Sequence, residues 1–371
     1  MTHVRTAGGA KTLPARLYTS PAIFRAEMDR IFATRWLYAA RASDLDAQGR
    51  WLTLSVGDDS LLIVKDAGQV RAFHNVCRHR GTRLCAEPSG RFDGPIRCPY
   101  HAWSYALDGR LIGAPNMLDV EGFDKADYPL HAVPVATWDG GLFVSMSPRA
   151  PSFPEAFAPL LGRFDAWRLS DLVPAHRITY DVNANWKLIF QNYSECYHCP
   201  SLHPLLNRLT PFRDASNDLM EGPFLGGPMQ LSRGDGSMTL TGARCAAPLA
   251  GVTGEDLSRV YYYTIFPNML LSLHPDYVLI HRIAPMAHDR TQIVCEWLFH
   301  PEAVAASGFD PADAVGFWNT TNAQDWAISE RSQCGIGSRA YVPGPYAALE
   351  SMVAAWDRNY LAALGEVPEA G

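Results

Sequence analysis

Two short stretches of the sequence each place a cysteine close to a histidine. Cys77 and His79 are separated by one residue, and Cys98 and His101 by two, within CRHRGTRLCAEPSGRFDGPIRCPYHAW. Thiolates and imidazoles are the side chains that bind zinc and iron most readily in proteins. Because two loops on a β scaffold can bring four such side chains together, the sequence predicts one four-ligand metal centre.

The spacing of these four residues discriminates between two kinds of centre. Structural zinc modules usually pair Cys with Cys and His with His, whereas a Rieske [2Fe–2S] cluster takes two Cys on one iron and two His on the other. The mixed arms Cys-x-His and Cys-x2-His, the second followed by Ala-Trp, favour the Rieske cluster. We expect the nearby Cys85 and His74 to be structural.

A second cluster of chemically active side chains lies in QNYSECYHCPSLHP, residues 191–204. His198 and His203 are five residues apart, which on a helix is a rotation of about 140°, so they would not share a helix face. Pro200 lies between them and disfavours a continuous helix. We therefore expect His198 to end a helix and His203 to follow in the turn, an arrangement that leaves coordination positions open.

Two histidines with one carboxylate form the facial triad of non-heme Fe(II) oxygenases. Glu195 could bind a metal or accept a hydrogen bond from the imidazole of His198. We expect Cys196 and Cys199 to be packing residues rather than ligands. Spacing alone does not identify the carboxylate, and the other acidic candidates are Asp181, Asp214, Asp218, Asp276, Asp310, Asp313, Asp325 and Glu330.

The elements that must position these motifs change type along the chain. A helix is predicted after Ser20-Pro21, and residues 38 to 148 read as short strands joined by turns, among them WLTLSV, LLIVK and VRAFHNV. The proline-rich SPRAPSFPEAFAPLL follows as a linker. The segment HRITYDVNANWKLIFQNYSECYH then passes from a strand to a helix. Five further strands are predicted, MTLTG, VYYYTIF, NMLLSL, YVLIHRIAPM and TQIVCEWLFH, before two closing helices over residues 311–335 and 346–364.

The length of 371 residues favours more than one domain. We predict an α+β protein with three parts: an N-terminal helical segment, 1–37, that packs on the catalytic domain; an all-β domain, 38–150, that carries the Cys/His motif; and a catalytic domain with an antiparallel sheet and helices, 151–371.

Composition bears on partners and location. A net charge of −6 gives no electrostatic case for a nucleic-acid or anionic-membrane partner. The chain has neither a signal-peptide core nor a run of about 18 apolar residues. We expect a cytoplasmic protein whose eight cysteines are free thiols or metal ligands rather than disulfides.

A one-electron carrier and an open iron site in one chain form a logical pair, since dioxygen activation needs electrons delivered one at a time. The sequence has no strand–GxGxxG–helix unit and no Walker loop. No flavin or nicotinamide site is therefore predicted, and NAD(P)H would act only through a separate reductase.

The sequence resembles the α subunits of Rieske non-heme iron oxygenases over nearly its whole length. The motifs that carry the resemblance are CRHRGTRLC…CPYHAW, NWKLIFQNYSECYHCPSLHP and TNAQDWAISERSQCGIGSRAYVPGPYAALE. It implies a Rieske domain on a helix-grip (START-like) catalytic domain, a [2Fe–2S] cluster, a mononuclear Fe(II), O2 as co-substrate and a homotrimer. It also implies that Asp325 is the third iron ligand with His198 and His203, and that Glu195 bridges the cluster of one subunit to the iron of its neighbour.

Within this family, ECYHC, YYYTIFPNMLLSLHPDYVL and YVPGPY are similar to the carnitine, glycine betaine, choline and stachydrine oxygenases. This branch implies a monooxygenase that N-demethylates a quaternary ammonium substrate. Because such a cation has no hydrogen-bond donor, an aromatic box is expected to bind it. The candidates for this box are Tyr193, Phe212, Tyr261, Tyr263, Phe266 and Trp297.

Two alternatives stay open at this point. An aromatic-ring-hydroxylating dioxygenase or O-demethylase would use the same iron machinery with an apolar pocket. A non-catalytic, Rieske ferredoxin-type electron carrier would need only the first domain, and the long second half of the chain argues against it.

Overall fold

A computed structural model describes residues 9–366 of the chain. The described residues form two compact units. One contains residues 32–156 and is called the β unit below. The other contains residues 9–31 and 157–366 and is called the α+β unit.

The β unit is built from short antiparallel strands in three sheets. A five-stranded sheet has the order β5-β2-β3-β4-β9, and two three-stranded sheets have the orders β1-β11-β10 and β6-β7-β8. The strands are β1 Leu37–Arg41, β2 Arg50–Val56, β3 Asp59–Asp66, β4 Gln69–His74, β5 Ser89–Arg91, β6 Ile96–Arg97, β7 Ser104–Tyr105, β8 Leu111–Gly113, β9 Ala132–Val133, β10 Val135–Trp138 and β11 Gly141–Val144.

The local sequence explains the central hairpin of the β unit. The four consecutive apolar residues Leu61–Val64 are fully buried in β3, which lies between β2 and β4. Ala67 and Gly68 connect β3 to β4 with φ of 47° and 80°, the positive angles of a two-residue turn that matches strand twist. Both loops that carry the Cys/His motif begin at the ends of strands in this scaffold, after β4 and after β6.

The α+β unit is organised around one antiparallel sheet in the order β12-β17-β16-β15-β14-β13. Its strands are β12 Val173–Val182, β13 Phe224–Gln230, β14 Arg259–Ile265, β15 Met269–Leu273, β16 Val278–Ala287 and β17 Arg290–Phe299. The α-helices of the described chain are α1 Arg16–Thr19, α2 Pro21–Glu27, α3 Phe153–Phe157, α4 Trp186–Tyr193, α5 Cys199–Leu202, α6 Pro204–Leu209, α7 Pro301–Ala305, α8 Ala312–Ile336 and α9 Ser351–Leu364.

One predicted strand is wrong and one strand was missed. The segment MTLTG, residues 238–242, forms turns, with Gly242 at φ 76°. The sheet edge is instead β13, in the glycine-rich stretch FLGGPMQ. Gly226 packs so closely on β14 that an added Cβ would lie 2.0 Å from the Tyr262 carbonyl oxygen. Glycine is therefore required for this pairing, although it normally weakens a strand prediction.

A buried ion pair joins helix α2 to helix α4. Lys187 Nζ lies 2.5 Å from a carboxylate oxygen of Glu27, and both side chains are fully buried. Glu27 also accepts hydrogen bonds from the indole of Trp186 at 2.9 Å and from the hydroxyl of Tyr360 at 2.6 Å. Because a buried carboxylate is costly unless its oxygens are bonded, these three donors explain how Glu27 is accommodated.

Across residues 9–366, no helix combines the length and the apolar character needed to cross a membrane.

Candidate active site

His198, His203 and Asp325 bring three potential ligand atoms together in the α+β unit. Each offers one atom, and the three atoms lie within 4.8 Å of one another. Nε2 of His203 is 2.7 Å from Oδ1 of Asp325, and Nε2 of His198 is 3.5 Å from the same oxygen. Two imidazoles and one carboxylate that converge from one side fit a divalent iron with open positions.

The backbone around these residues differs from the helix-then-turn arrangement expected from the sequence. Helix α4 ends at Tyr193, before His198, which immediately precedes the short helix α5. Pro200 therefore lies in the first turn of α5, where its missing N–H group costs no helical hydrogen bond. His203 follows at the junction between α5 and α6. Asp325 projects from the middle of the 25-residue helix α8.

The second nitrogen of each imidazole is also bonded. Nδ1 of His198 lies 2.5 Å from Oε1 of Glu195, and Nδ1 of His203 lies 2.7 Å from Oε1 of Gln324. With an oxygen acceptor at Nδ1, each ring in its neutral form would carry its proton there and leave the Nε2 lone pair for a metal. Gln324 was not predicted, and its position next to Asp325 was the signal that could have found it.

The electrostatics of the cluster follow from these contacts. Burial lowers the pKa of His198, but hydrogen bonds to Asp325 and Glu195 outweigh it and raise that pKa to about 10. For Asp325, burial alone would raise the pKa, yet hydrogen bonds from His198 and His203 leave it below its usual value. At neutral pH the ionised carboxylate of Asp325 therefore stabilises a proton on His198, and a metal ion would displace this proton when it binds.

The expectation that the eight cysteines are free thiols or metal ligands, with Cys196 and Cys199 as packing residues, is wrong for these two residues. Cys196 and Cys199 are joined as a disulfide, with their Cα atoms 4.9 Å apart. The turn at residues 196–199 brings the side chains together, since the backbone N–H of Cys199 donates to the carbonyl of Cys196 at 3.2 Å. The other six cysteines are free.

A cavity of about 150 Å³ adjoins the three ligand atoms. His198, His203 and Asp325 form part of its wall, together with Glu195. Its aromatic residues are Tyr193, Tyr197, Phe212, Tyr262 and Trp318.

Of the six aromatic residues predicted to bind substrate, Tyr193 and Phe212 line this cavity. Tyr261 and Tyr263 do not, because successive side chains of a strand point to opposite faces. Tyr261 packs against Trp167, and Tyr263 against Phe164. The intervening Tyr262 points the other way.

Tyr262 approaches Tyr193, with ring centroids 6.0 Å apart, and Trp318, with ring centroids 6.1 Å apart. Its hydroxyl is buried without a hydrogen-bond partner. Tyr197, Tyr262 and Trp318 are therefore the aromatic residues of the cavity that the sequence did not predict.

The remaining two predicted aromatic residues also lie elsewhere. Phe266 packs against Trp186 and Trp356, with ring centroids 6.1 and 5.9 Å away. Trp297 is fully buried in the core and packs against His176. Trp297 is a buried position of β17, and Phe266 is a buried residue of the turn between β14 and β15, so both belong to the hydrophobic core.

In the β unit, the Cys/His motif forms two loops of the same design. The backbone N–H of Cys77 donates to the carbonyl of Thr82, and that of Cys98 donates to the carbonyl of Trp103, both at 2.8 Å. The rings of His79 and His101 approach with centroids 4.8 Å apart. All four predicted residues are thus brought to one end of the scaffold.

The two cysteines of this motif are buried and their thiols are free, whereas His79 is exposed. Burial raises the pKa of the Cys98 thiol, and backbone N–H groups of Tyr100 and His101 partly oppose that rise. Within residues 9–366, His198, His203 and Asp325 are the group whose three donor atoms lie within 4.8 Å. The wider spread of the two thiols and two imidazoles suits a two-iron cluster better than a single zinc ion.

Comparison with known proteins agrees with this geometry. Residues 169–366 match the family described as "Ring hydroxylating alpha subunit (catalytic domain)", and residues 35–124 match "Rieske [2Fe-2S] domain". The chain belongs to the α subunits of the ring-hydroxylating, Rieske non-heme iron oxygenases.

Particular relatives narrow the comparison. The chain is 33% identical to the glycine betaine monooxygenase oxygenase subunit of Chromohalobacter salexigens, over 92% of this chain and 83% of that protein. It is 38% identical to the carnitine monooxygenase oxygenase subunit of Acinetobacter baumannii, over 53% of each chain. The crystal structure of the quaternary ammonium Rieske monooxygenase CntA with its substrate L-carnitine superposes with a TM-score of 0.78, at 25% identity and 98% coverage of both chains.

These comparisons confirm several predictions. The α+β fold, with a Rieske domain and a catalytic domain, is confirmed, as is the enzyme class. The cofactors are a Rieske [2Fe–2S] cluster and a mononuclear iron, with O2 as co-substrate. The relatives are named as oxygenase subunits, which is consistent with the predicted separate reductase. The match to the catalytic domain rules out the ferredoxin-type carrier.

Proposed function

We propose that this oxygenase subunit removes an N-methyl group oxidatively from a quaternary ammonium substrate of the betaine type. The observation that carries the proposal is the composition of the cavity beside His198, His203 and Asp325. Its described lining combines aromatic rings with two carboxylates and includes no lysine or arginine. An N-methylated cation is the substrate class that such a wall recognises.

Attraction between a cation and aromatic faces supports this choice of substrate. A ligand cation within about 6 Å of a Tyr or Trp ring gains about 0.5–2 kcal/mol. Tyr193, Tyr262 and Trp318 provide adjacent rings in the cavity wall. Tyr193 is held in place because its hydroxyl donates to the carbonyl of Leu271 at 2.9 Å.

The charges of the cavity support the same conclusion. Glu195 and Asp325 are its acidic residues, and Asp325 remains ionised. With iron bound, these two carboxylates would offset its charge, and no lysine or arginine of the wall would repel a quaternary ammonium group. The amide groups of Asn192 and Asn217, also in the wall, are neutral donors for the polar tail of a betaine.

His198, His203 and Asp325 would hold the iron, and Cys77, His79, Cys98 and His101 the cluster. The metals supply the oxidation of a substrate C–H bond by O2, with two electrons from the reductase. Hydroxylation of an N-methyl group consumes O2, two electrons and two protons, and gives water and a hemiaminal. The hemiaminal then collapses to formaldehyde and the demethylated amine.

The chain's own residues contribute orientation and exclusion in this scheme. The aromatic wall places the ammonium group beside the open face of the iron site and keeps water from it. Glu195 and Gln324 fix the imidazole rings through Nδ1.

We also propose that the subunit forms a homotrimer, in which Glu195 links the cluster of one subunit to the iron of the next. Its hydrogen bond to His198 supports this role, since a carboxylate at that position contacts the iron ligand directly. The trimer follows from the family resemblance. The cytoplasmic location stays a prediction.

The decisive experiment measures substrate-stimulated oxygen uptake and formaldehyde release with a surrogate reductase. The panel contains glycine betaine, stachydrine, carnitine and choline, with aromatic acids and methoxyarenes as the alternative substrates. We expect formaldehyde in proportion to the oxygen consumed with at least one N-methylated cation. Stimulation by aromatic substrates alone would overturn the N-demethylase proposal in favour of ring hydroxylation or O-demethylation.

A further inference from the structure

We propose that Cys196 and Cys199 form a reversible dithiol–disulfide pair in the wall of the iron cavity, and that reduction of this pair adds thiolate donors beside His198. The inference rests on the iron site proposed above and concerns which metal that site retains. The two residues flank Tyr197-His198, and both line the cavity. Their disulfide is the one formed within the described chain.

The position of the pair relative to the iron ligands carries the argument. Sγ of Cys199 lies 3.9 Å from Nε2 of His198. That nitrogen is the one that faces Oδ1 of Asp325 at 3.5 Å. A sulfur atom so close to a ligand nitrogen is within reach of any metal bound there. Cys199 is also buried, so its sulfur cannot turn away into solvent.

The oxidation state of the sulfur decides what it can do at this distance. Thiolates are soft ligands that bind zinc strongly, and they select it over metals that favour carboxylate and imidazole. In a disulfide, both sulfurs have lost the thiolate electron pair that makes this bond. The disulfide therefore keeps the available set at two imidazoles and one carboxylate, which suits Fe(II).

The dithiol and the disulfide interconvert by a change of two electrons and two protons. Oxidation breaks two S–H bonds, forms one S–S bond, and releases two protons and two electrons. Hydrogen peroxide is the proposed oxidant, and it accepts both electrons and both protons to become two molecules of water. Reduction by a small dithiol reverses the change and yields that dithiol's own disulfide.

Mass spectrometry of the full-length enzyme tests whether the disulfide forms. Trypsin releases residues 188–208, a peptide whose two cysteines are Cys196 and Cys199, and residues 332–339, which contain the exposed Cys334. The protein is treated with peroxide, freed of peroxide and then alkylated. Its 188–208 peptide should carry no alkyl group and should be two hydrogens lighter than the same peptide in the dithiol form. The 332–339 peptide of untreated protein, alkylated in parallel, controls for alkylation efficiency.

If the oxidised protein is reduced with a dithiol before alkylation, the 188–208 peptide should carry two alkyl groups. Full alkylation of this peptide after peroxide treatment, without any reductant, would overturn the proposal.

Metal content tests the consequence for the iron site. The enzyme is challenged with Zn2+ in its oxidised and reduced forms, desalted, and assayed for iron and zinc per chain. We expect the reduced form to lose its mononuclear iron to zinc and the oxidised form to retain it. Cys196→Ser, which cannot form the disulfide and leaves Cys199 in place, should respond equally with and without reductant.

The outcomes separate this inference from the proposed function. Equal retention of the mononuclear iron in the reduced and oxidised forms would overturn the role of the thiols and leave the proposed function intact. An enzyme that contains only about two irons per chain before any zinc is added would instead contradict the mononuclear site on which the proposed function rests.

Discussion

Gln324 fixes the orientation of His203 through a contact of 2.7 Å between its Oε1 and Nδ1 of the ring. The next residue along α8, Asp325, lies 2.7 Å from Nε2 of the same ring. Two consecutive residues of one helix therefore hold both nitrogens of a single imidazole. The carbonyl at Nδ1 selects the protonation state in which Nε2 is free to bind a metal.

The first prediction concerns Gln324. We expect Gln324→Ala to weaken iron binding about 10- to 100-fold, the usual cost of losing a partner that orients a metal ligand. Iron per chain after dialysis against a chelator measures this, with about three irons in the intact enzyme and about two when only the cluster remains. His203→Ala, which lacks one of the iron ligands, gives the iron content per chain expected when only the cluster remains.

The matched control for Gln324→Ala is Asn319→Ala. Asn319 lies on the same helix and accepts a hydrogen bond from Tyr180 at 2.9 Å, outside the iron site. Wild-type iron retention in Gln324→Ala, or the same loss in Asn319→Ala, would contradict the assigned role.

The second prediction concerns Glu195. We expect Glu195→Ala to lower turnover about 10- to 100-fold, because it removes the acceptor that holds His198 at Nδ1 and the link proposed between the metals. Reduction of the cluster by the reductase should keep its rate. Rapid-mixing absorbance, which follows reoxidation of the pre-reduced cluster by O2 and substrate, separates the two steps.

Glu330→Gln is the control for Glu195→Ala. Glu330 is a carboxylate of α8 that accepts from the backbone N–H of Asn183 at 2.9 Å and does not line the cavity. If cluster reoxidation in Glu195→Ala were as fast as in this control, Glu195 would have no part in electron transfer.

The third prediction uses two neighbouring residues on opposite faces of β14. Tyr262→Leu should raise KM for the quaternary ammonium substrate by about 2- to 30-fold, as expected for the loss of one cation–π contact of about 0.5–2 kcal/mol. Tyr261→Leu should leave KM near the wild-type value, because Tyr261 packs on Trp167 away from the cavity. Equal effects of the two substitutions would remove Tyr262 from the substrate site.

The fourth prediction concerns pH and His274. This ring is completely buried and has no hydrogen-bond partner at either nitrogen, and burial lowers its pKa to about 3. The folded protein then binds fewer protons than the unfolded chain, so stability is lost as the pH falls below the unfolded pKa of about 6.5. The loss from this residue reaches about 2 kcal/mol at pH 5.

We expect His274→Phe to keep its packing on Tyr277 and to flatten the dependence of the free energy of unfolding on pH between 7 and 5. Urea denaturation at several pH values measures the free energy of unfolding and its dependence on pH. His288→Phe, a substitution at the partly exposed turn between β16 and β17, should keep the wild-type slope. The buried Asp276, whose pKa burial raises to about 6, acts in the opposite direction in both proteins and cancels in the comparison. An unchanged slope in His274→Phe would contradict the assignment.

The sequence predicts which residue types converge better than it predicts how the backbone brings them together. The spacing of Cys77, His79, Cys98 and His101 was enough to favour a Rieske cluster, because few other centres use that pattern. The third iron ligand, a carboxylate, was different, since eight acidic residues outside the His motif were equally available. Only a resemblance to whole motifs selected Asp325, more than a hundred residues from the histidines.

The aromatic wall shows a second limit of sequence reasoning. Alternation along β14 establishes that Tyr261 and Tyr263 share one face and Tyr262 the other. It does not reveal which face the cavity occupies, because that depends on packing against Trp318 of α8. Cysteine pairing at residues 196 and 199 was missed for a similar reason. A disulfide needs a short Cα–Cα separation, which a local turn provides and spacing does not guarantee.

The buried pair of Lys187 and Glu27 sets a limit on truncation of the chain. Removal of the segment that ends with helix α2 would delete Glu27 and leave the ammonium group of Lys187 unpaired in the interior. Lys187 is the second residue of α4, the helix that precedes the iron ligands in the chain. An unpaired buried charge of this kind costs about 3–5 kcal/mol, a large fraction of the stability of an ordinary domain. A fragment that begins at the start of the Rieske domain would therefore be expected to yield an insoluble or unfolded catalytic half.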